Sequence, residues 1–374
     1  MMEAYEARDF AKHPLMFYYE VTRACDLVCR HCRASAQSCA RPDELSPEES
    51  CALLRDVARF ERRPTVVLTG GDPLKRKDLY DLIRYARSLD LEVALTPSAT
   101  PLATESALQQ AKDAGVRRLG ISLDGADAST HDSFRGWKGS FRRTVDMLAI
   151  AERIGLSVQV NTSLTARNFT QLDAMAELLS RSHISMWSVF FLVPVGRGMS
   201  ETRIAPVEYE QAFARLWHHS QVQPYAIKTT EAHHYRRWVL QHGGDSIARG
   251  ISKAGGRAST VPTQGRRISA VGVRDGNGIM FVGHNGEIYP AGFLPVKCGR
   301  FPEDSVVETY QSHPDFQALR DPDRFGGKCG ACEYRRVCGG SRSRAFGVSG
   351  DMLGEEPDCV YQPMSLRNEA LRCG

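Results

Sequence analysis

The sequence predicts an α/β protein: six strand–helix repeats form a parallel sheet, and a smaller loop-rich, cysteine-rich region follows. Three observations carry this reading. From residue 15 to about residue 220, β-rich runs alternate with amphipathic helical patterns. The eleven cysteines gather at the two ends, at 25–51 and 298–373, and none falls between. After residue 220 the apolar periodicity fades into Gly-, Ser-, Arg- and Cys-rich stretches.

In chain order the strands are LMFYYEV (15–21), TVVLTG (65–70), EVALTP (92–97), RRLGISLDG (117–125), LSVQVNTSL (156–164) and MWSVFFLVP (186–194). The helical patterns between them are SPEESCALLRDVARF (46–60), KDLYDLIRYARSL (77–89), TESALQQAKDAG (104–115), SFRRTVDMLAIAERIG (140–155) and TQLDAMAELLSRS (170–182). Ser46 before Pro47, and Thr104 before Glu105, are helix-start signals. Gly115 and Gly155 stand where helix ends favour glycine. Strands each followed by a helix pair in parallel through right-handed crossovers, as a barrel or as an open doubly wound sheet. Both arrangements put chemistry at the C-terminal strand ends. The first cysteine cluster, TGGDP, SLDG and NTSL all fall there.

Beyond residue 220, EAHHYRRWVLQHGGDSIARG reads as a helix running into a loop, and GIMFVGHNGEIYPAGF (278–293) as a hairpin. Asn285-Gly286 suits a type I′ turn in that hairpin. The expected division is 1–220 as the core, 221–277 as a helical and loop linker, and 278–374 as a second domain.

Composition narrows the function classes. With 42% hydrophobic and 25% charged residues the chain reads as a soluble globular protein. A formal charge of +4 without interleaved basic and aromatic residues argues against a nucleic-acid partner. No apolar run approaches the ~20 residues of a membrane span, and MMEAYEARDFAKHP is unlike a signal peptide. The expectation is a cytoplasmic protein with no membrane partner. In a reducing compartment, clustered thiols serve as metal ligands, nucleophiles or buried small hydrophobes.

Cys25, Cys29 and Cys32, spaced C-x3-C-x2-C, admit three readings. Zinc would want a fourth ligand, and His31 is the nearest candidate, although its adjacency to Cys32 makes joint chelation awkward. A redox dithiol needs only C-x2-C and leaves Cys25 unexplained. An iron–sulfur cluster can use three thiolates and leave one iron open to a small molecule.

C-x3-C-x2-C after the first strand of a β/α repeat resembles the signature of the radical SAM enzymes. That resemblance implies a partial (β/α)6 radical SAM barrel in which the three cysteines hold a [4Fe–4S] cluster. Its open iron would bind S-adenosylmethionine (SAM), and reduction would cleave SAM to a 5′-deoxyadenosyl radical that abstracts hydrogen from a substrate. TGGDP resembles the family's glycine-rich SAM-binding stretch and implicates Gly70, Gly71 and Asp72, with Asp72 where many members have Glu. SLDG, HDSFRG and NTSL resemble segments that face SAM and implicate Ser122, Asp124, Arg135 and Asn161. Arg135 offers a fork suited to the methionine carboxylate, and His31 becomes a loop residue lying against the adenine.

Near the C-terminus, Cys329, Cys332, Cys338 and Cys359 supply four thiolates that could close around zinc or an iron–sulfur cluster. Behind such a core they resemble a SPASM-type extension, which carries auxiliary [4Fe–4S] clusters. Two-cluster members usually read YPC after the hairpin, where this chain has Ala291, and Ser341 stands where another cysteine is common. One auxiliary cluster is therefore expected, with Cys298 as a possible substitute ligand and Cys39, Cys51 and Cys373 as ordinary thiols.

HPLMFYYEVTRACDLVCRHCRAS, TGGDPLKRKDL and CGACEYRRVCGGSRSRAFGVSGDMLGEEPDCVYQP resemble the radical SAM enzymes that trim side chains in alternative haem and haem d1 biosynthesis. The implied substrate is a carboxylate-rich tetrapyrrole, and the implied reductant is a flavodoxin or ferredoxin. His233, His234, Tyr235, Arg236, Arg237, Arg266 and Arg267 are expected near the barrel mouth, where arginine forks would pair with carboxylates. The alternatives are a SPASM maturase acting on a ribosomally made peptide and a non-catalytic iron–sulfur electron carrier. Only about fourteen residues precede the first strand, too few for the peptide-binding domain that such maturases often carry. An electron carrier would have no use for SAM-binding motifs.

Overall fold

The computed structural model describes residues 10–243 and 273–367; Arg266, Arg267 and Cys373 lie outside the described residues. Seven strands pair in parallel in sequence order: β1 (Met16–Thr22), β2 (Thr65–Gly70), β3 (Val93–Leu95), β4 (Val116–Ser122), β5 (Ser157–Leu164), β6 (Met186–Phe191) and β7 (Ala226–Thr230). The six expected strands are all present. The seventh, AIKTT, is too short and too polar to stand out from its surroundings by alternation alone.

Alternation along the strands sorts the side chains. Phe17, Tyr19, Val21, Val66, Leu68, Leu119, Ile121, Val158 and Val160 join the apolar core shared with the helices. The residues between them, among them Glu20, Thr69, Ser122 and Asn161, point to the inner face of the partial barrel. The outer wall is α1 (Pro47–Val57), α2 (Leu79–Ser88), α3 (Glu105–Ala114), α4 (Ala128–Arg135), α5 (Ser140–Arg153), α6 (Leu172–Ser180) and α7 (Pro206–Val222). Ser46 and Glu49 form a full capping box on α1, and Thr104 caps α3 through Ala107 N. Helix α4, which brings Arg135 to its last turn, was not read from the sequence because HDSFRG gives too short an apolar stripe.

After α8 (His234–Gln241) the chain adds three more strands to the same sheet. β8 (Ile279–Val282) lies parallel beside β1, with Tyr18 opposite Phe281, and turns back into β9 (Glu287–Tyr289) and β10 (Gly299–Arg300). The hairpin forms, but not through a type I′ turn: Gly286 has φ +83° whereas Asn285 is not in the left-handed region. Gly286 N instead donates to Gly283 O at 3.0 Å across a four-residue loop. No helix among the described residues is long and apolar enough to cross a membrane.

Candidate active site

The loop after β1 carries Cys25, Cys29 and Cys32 and is held by its own backbone. Cys25 N donates to Gln37 O at 2.6 Å and Gln37 N to Arg23 O at 3.1 Å, closing the loop at its base. Arg197, on the turn after β6, clamps it from the far side. Its Nε donates to Cys29 O at 2.8 Å, its Nη1 to Ala36 O at 2.9 Å, and its backbone N to Cys32 O at 3.0 Å. Nothing in the sequence singled out Arg197, because its targets are carbonyls rather than side chains.

Each of the three sulfurs receives one protein donor. Leu27 N lies 3.4 Å from Cys25 Sγ, Ala36 N 3.5 Å from Cys32 Sγ, and Arg135 Nη1 3.6 Å from Cys29 Sγ. Burial pushes the Cys25 thiol up to about 11 and raises Cys29 as well. A redox dithiol works through a depressed thiol pKa, so this environment argues against one. A bound metal instead displaces the thiol protons, and three preorganised sulfurs on one loop fit a cluster with an open iron.

TGGDP, at the end of β2, packs against that loop. Gly71 N donates to Thr22 O at 2.8 Å and Asp72 N to Ala24 O at 2.7 Å. A Cβ on Gly71 would stand 2.4 Å from Ala24 O, and one on Gly70, at φ +152°, 2.3 Å from Thr22 O. These glycines are needed for the close approach of two backbones. The buried Asp72 carboxylate accepts from Thr100 Oγ1 at 2.7 Å, Leu74 N at 3.2 Å and Ser98 N at 3.3 Å. It positions the turn after β3, whose Ser98 hydroxyl donates to Gly71 O at 3.0 Å and lies 3.7 Å from Cys25 Sγ.

Ser122 ends β4, opposite Asn161 on β5. Asn161 Oδ1 accepts from Gln159 Nε2 at 2.8 Å. Asp124, 1% exposed, accepts from Ser163 N at 2.7 Å and pairs with Arg135 Nη2 at 2.7 Å. His131 Nδ1 accepts from Asp124 N at 3.1 Å. His31 stacks on Phe134 with ring centroids 4.4 Å apart, and desolvation, Arg135 and Arg197 hold its imidazole well below the usual histidine range. Arg135 thus joins one thiol of the loop to an anchored carboxylate.

The second thiol group is equally ordered. Cys329, Cys332, Cys338 and Cys359 line one cavity with His234, Arg237 and Glu356. Backbone N–H groups reach three of the sulfurs: Glu356 N to Cys329 at 3.2 Å, Gly340 N to Cys338 at 3.3 Å and Tyr334 N to Cys332 at 3.4 Å. Arg344 ties this region to the barrel. It pairs with Glu356 at 2.8 Å and donates to Glu231 O at 2.6 Å, while Tyr209 OH on α7 donates to Asp358 at 2.7 Å. Cys298 is not on this cavity: its thiol donates to Val296 O at 3.5 Å, beside His313 and Asp315.

A model of the Radical SAM superfamily matches residues 19–179. The AdoMet-dependent heme synthase of Methanosarcina barkeri (strain Fusaro / DSM 804) is 35% identical over 350 residues, covering 94% of this chain and 97% of that protein. The chain belongs to the radical SAM superfamily. It is an enzyme of radical SAM chemistry, and membership implies a [4Fe–4S] cluster and SAM. The pre-heme d1 synthase of Dinoroseobacter shibae is 28% identical over 353 residues, covering 91% of this chain and 85% of that protein. Among solved structures, Streptococcus suis SuiB bound to S-adenosylmethionine superposes with a TM-score of 0.69 at 15% identity, covering 94% of this chain and 78% of SuiB. That likeness is one of fold.

For a radical SAM enzyme the placement of α8 corrects one expectation. His233, His234, Tyr235, Arg236 and Arg237 do not stand free at the barrel mouth. His233 bonds Gly340 O at 3.0 Å, Arg236 donates to Val337 O at 3.1 Å, and Arg237 pairs with Glu210. Tyr235 and His234 are buried. The helix places His234 and Arg237 on the four-thiol cavity and lets His233 and Arg236 bond carbonyls beside it. The inner face of the sheet offers a different cation. Lys228 on β7 stands opposite Ser188, level with Asn161, and makes no hydrogen bond or ion pair among the described residues. Burial first, then Arg236 and Arg118, lower its pKa to about 8, with Glu231 opposing them.

Proposed function

We propose that this radical SAM enzyme abstracts hydrogen from a carboxylate-bearing side chain of a tetrapyrrole and so completes a haem-type cofactor. The similarity to a heme synthase along nearly the whole of both chains carries this reading. Cys25, Cys29 and Cys32 would hold the [4Fe–4S] cluster that binds SAM, and Cys329, Cys332, Cys338 and Cys359 one auxiliary [4Fe–4S] cluster. When bound and reduced, the first cluster supplies the electron that cleaves SAM.

The chain's own residues then position and shield. Gly70 and Gly71 bring their backbone beside the cysteine loop, and Asp72 holds the neighbouring turn. Arg135, fixed by Asp124, presents a guanidinium for the SAM carboxylate, and Ser122, Asn161 and His31 would complete the SAM contacts. Lys228 gives the substrate carboxylate a half-buried cation on the inner face. With its pKa lowered only to about 8, the side chain stays mostly protonated near neutral pH, and an arriving carboxylate would raise that value again. The ten cysteines among the described residues are all unpaired, which supports a reducing, cytoplasmic setting, and the proposed reductant there is a flavodoxin or ferredoxin.

The test is anaerobic incubation of reconstituted enzyme with SAM, dithionite and an iron porphyrin bearing propionates. The expected result is porphyrin-dependent release of 5′-deoxyadenosine together with a side-chain mass change in the porphyrin. Release of 5′-deoxyadenosine with the porphyrin left unaltered would reject the substrate while leaving the radical chemistry intact.

A further inference from the structure

Three arginines around the C-terminal thiols, Arg342 and Arg274 buried and Arg236 half-buried, form no ion pair among the described residues. Arg342 is 0% exposed, and Arg274 and Arg236 lie in the same region. No carboxylate lies within ion-pair distance of any of the three among the described residues. Arg342 Nε and Arg274 Nη1 have no hydrogen-bond partner at all. The remaining contacts are weak compensation for buried charge. Arg342 Nη1 donates to Gly354 O at 2.5 Å, and its guanidinium stacks on Phe325 at 4.6 Å, with Arg274 over the same ring at 5.9 Å. A buried, unpaired cation is costly, and a cation–π contact recovers only part of that cost. Once deprotonated by a bound cluster, the neighbouring thiols would supply counter-charge alongside the buried Asp275, which faces Arg274 and Arg342. Arg342 Nη2 donates to Cys329 Sγ at 3.6 Å. Cys338 acts on both Arg236 and Arg274 against the burial that lowers each to about 10. Gly339 and Gly340 leave the room: a Cβ on Gly340 would stand 2.6 Å from Arg342 Nη2, and one on Gly339 2.4 Å from Arg274 Nη1.

We propose that Arg236, Arg274 and Arg342 form a cationic cage that neutralises the auxiliary cluster's thiolates and raises its reduction potential, with Arg342 acting directly through Cys329. A cluster held by four thiolates is anionic and gains a further negative charge on reduction, so buried positive charge and N–H···S bonds favour the reduced state. The cage would make this cluster the easier of the two to reduce, and so a place for an electron to rest. These are positioning residues, since they reach the chemistry only through the cluster. This inference rests on the proposed auxiliary cluster.

The test uses the full chain with Cys25→Ala, Cys29→Ala and Cys32→Ala combined, so that only the auxiliary cluster remains. Iron analysis comes first: about four irons per chain support the auxiliary cluster itself, and none would reject that reading. An anaerobic potentiometric titration followed by electron paramagnetic resonance then compares Arg342→Gln, Arg342→Lys and the exposed control Arg142→Gln in this background. Arg342→Gln is expected to lower the reduced-to-oxidised ratio at a given potential about tenfold, equivalent to 59 mV for one electron. Arg342→Lys should recover most of the shift, and Arg142→Gln should show none. An unchanged potential in Arg342→Gln with its iron retained would overturn the cage. If Arg342→Gln does not keep its iron, Arg274→Gln, which donates to no thiol, is titrated instead. A lowered potential there supports the cage, and an unchanged one overturns it.

Discussion

Asp124 and Arg135 meet at 2.7 Å on the inner side of the barrel rim, and the same guanidinium donates to Cys29 at 3.6 Å. The carboxylate's other oxygen accepts from Ser163 N at 2.7 Å, so both oxygens of Asp124 have protein contacts. We propose that SLDG serves SAM through the arginine that it holds rather than by its own carboxylate. Asp124→Asn should destabilise the fold by about 3–5 kcal/mol, as expected when a buried pair loses one charge. It should also weaken SAM binding about tenfold or more, or 1.4 kcal/mol. Thermal denaturation and equilibrium dialysis with SAM measure the two effects separately. An Asn variant that binds SAM as tightly as the parent would remove Asp124 from the site.

Gly71→Ala probes the contact between TGGDP and the cysteine loop. With Ala24 O only 2.4 Å from the new Cβ, the two backbones must part. A loss of about 1–3 kcal/mol is expected, together with reduced iron at the first cluster. Iron analysis in a Cys329→Ala background isolates that cluster, and full occupancy there would contradict the account.

His131 predicts a pH dependence. Burial first, then the charge of Arg135, push its imidazole down from 6.5 to about 4, with Asp124 opposing. Because the folded value lies below the unfolded one, no stability is lost above the unfolded value. As pH falls from 6.5 toward 4 the unfolded chain takes up a proton that the folded chain refuses. Stability should therefore decline across that window, by about 1–3 kcal/mol. The proton would also remove the acceptor of Asp124 N. Urea denaturation at stepped pH should show the decline, and His131→Asn should flatten it.

Cys329→Ala tests the four-thiol cavity. Two clusters correspond to about eight irons per chain, and this variant should keep about half. An iron content equal to the parent's would reject an auxiliary cluster at these residues.

Lys228→Gln should raise the KM for the porphyrin about tenfold and leave SAM cleavage without substrate unchanged. One good charge-assisted contact is worth about 1.5–3 kcal/mol. Steady-state assays at saturating SAM separate the two quantities, and an unchanged KM would place the carboxylate elsewhere.

The six core strands and the three thiols were legible because their signals are local: alternation sets the strands, and C-x3-C-x2-C sits at a strand end. Ser46 and Thr104 announced their helices for the same reason. What escaped is long-range. β8 joins β1 in parallel across some 260 residues of chain, a pairing that no window of sequence contains. Arg197 binds loop carbonyls, which leave no mark on residue identity. HHYRRW reads as a group of cations for the barrel mouth because its charge is local and its tertiary partners are not. Folding buries it against carbonyls, Glu210 and thiols, which only the tertiary structure brings close.

The central claim is that Cys25, Cys29 and Cys32 seat the cluster at which SAM is cleaved. Anaerobic chromatographic measurement of 5′-deoxyadenosine from reconstituted protein, SAM and dithionite tests it most directly. The parent chain should release 5′-deoxyadenosine, while Cys29→Ala should release none and keep the iron of the C-terminal thiols. No release from a fully iron-loaded parent, or undiminished release from Cys29→Ala, would contradict the account.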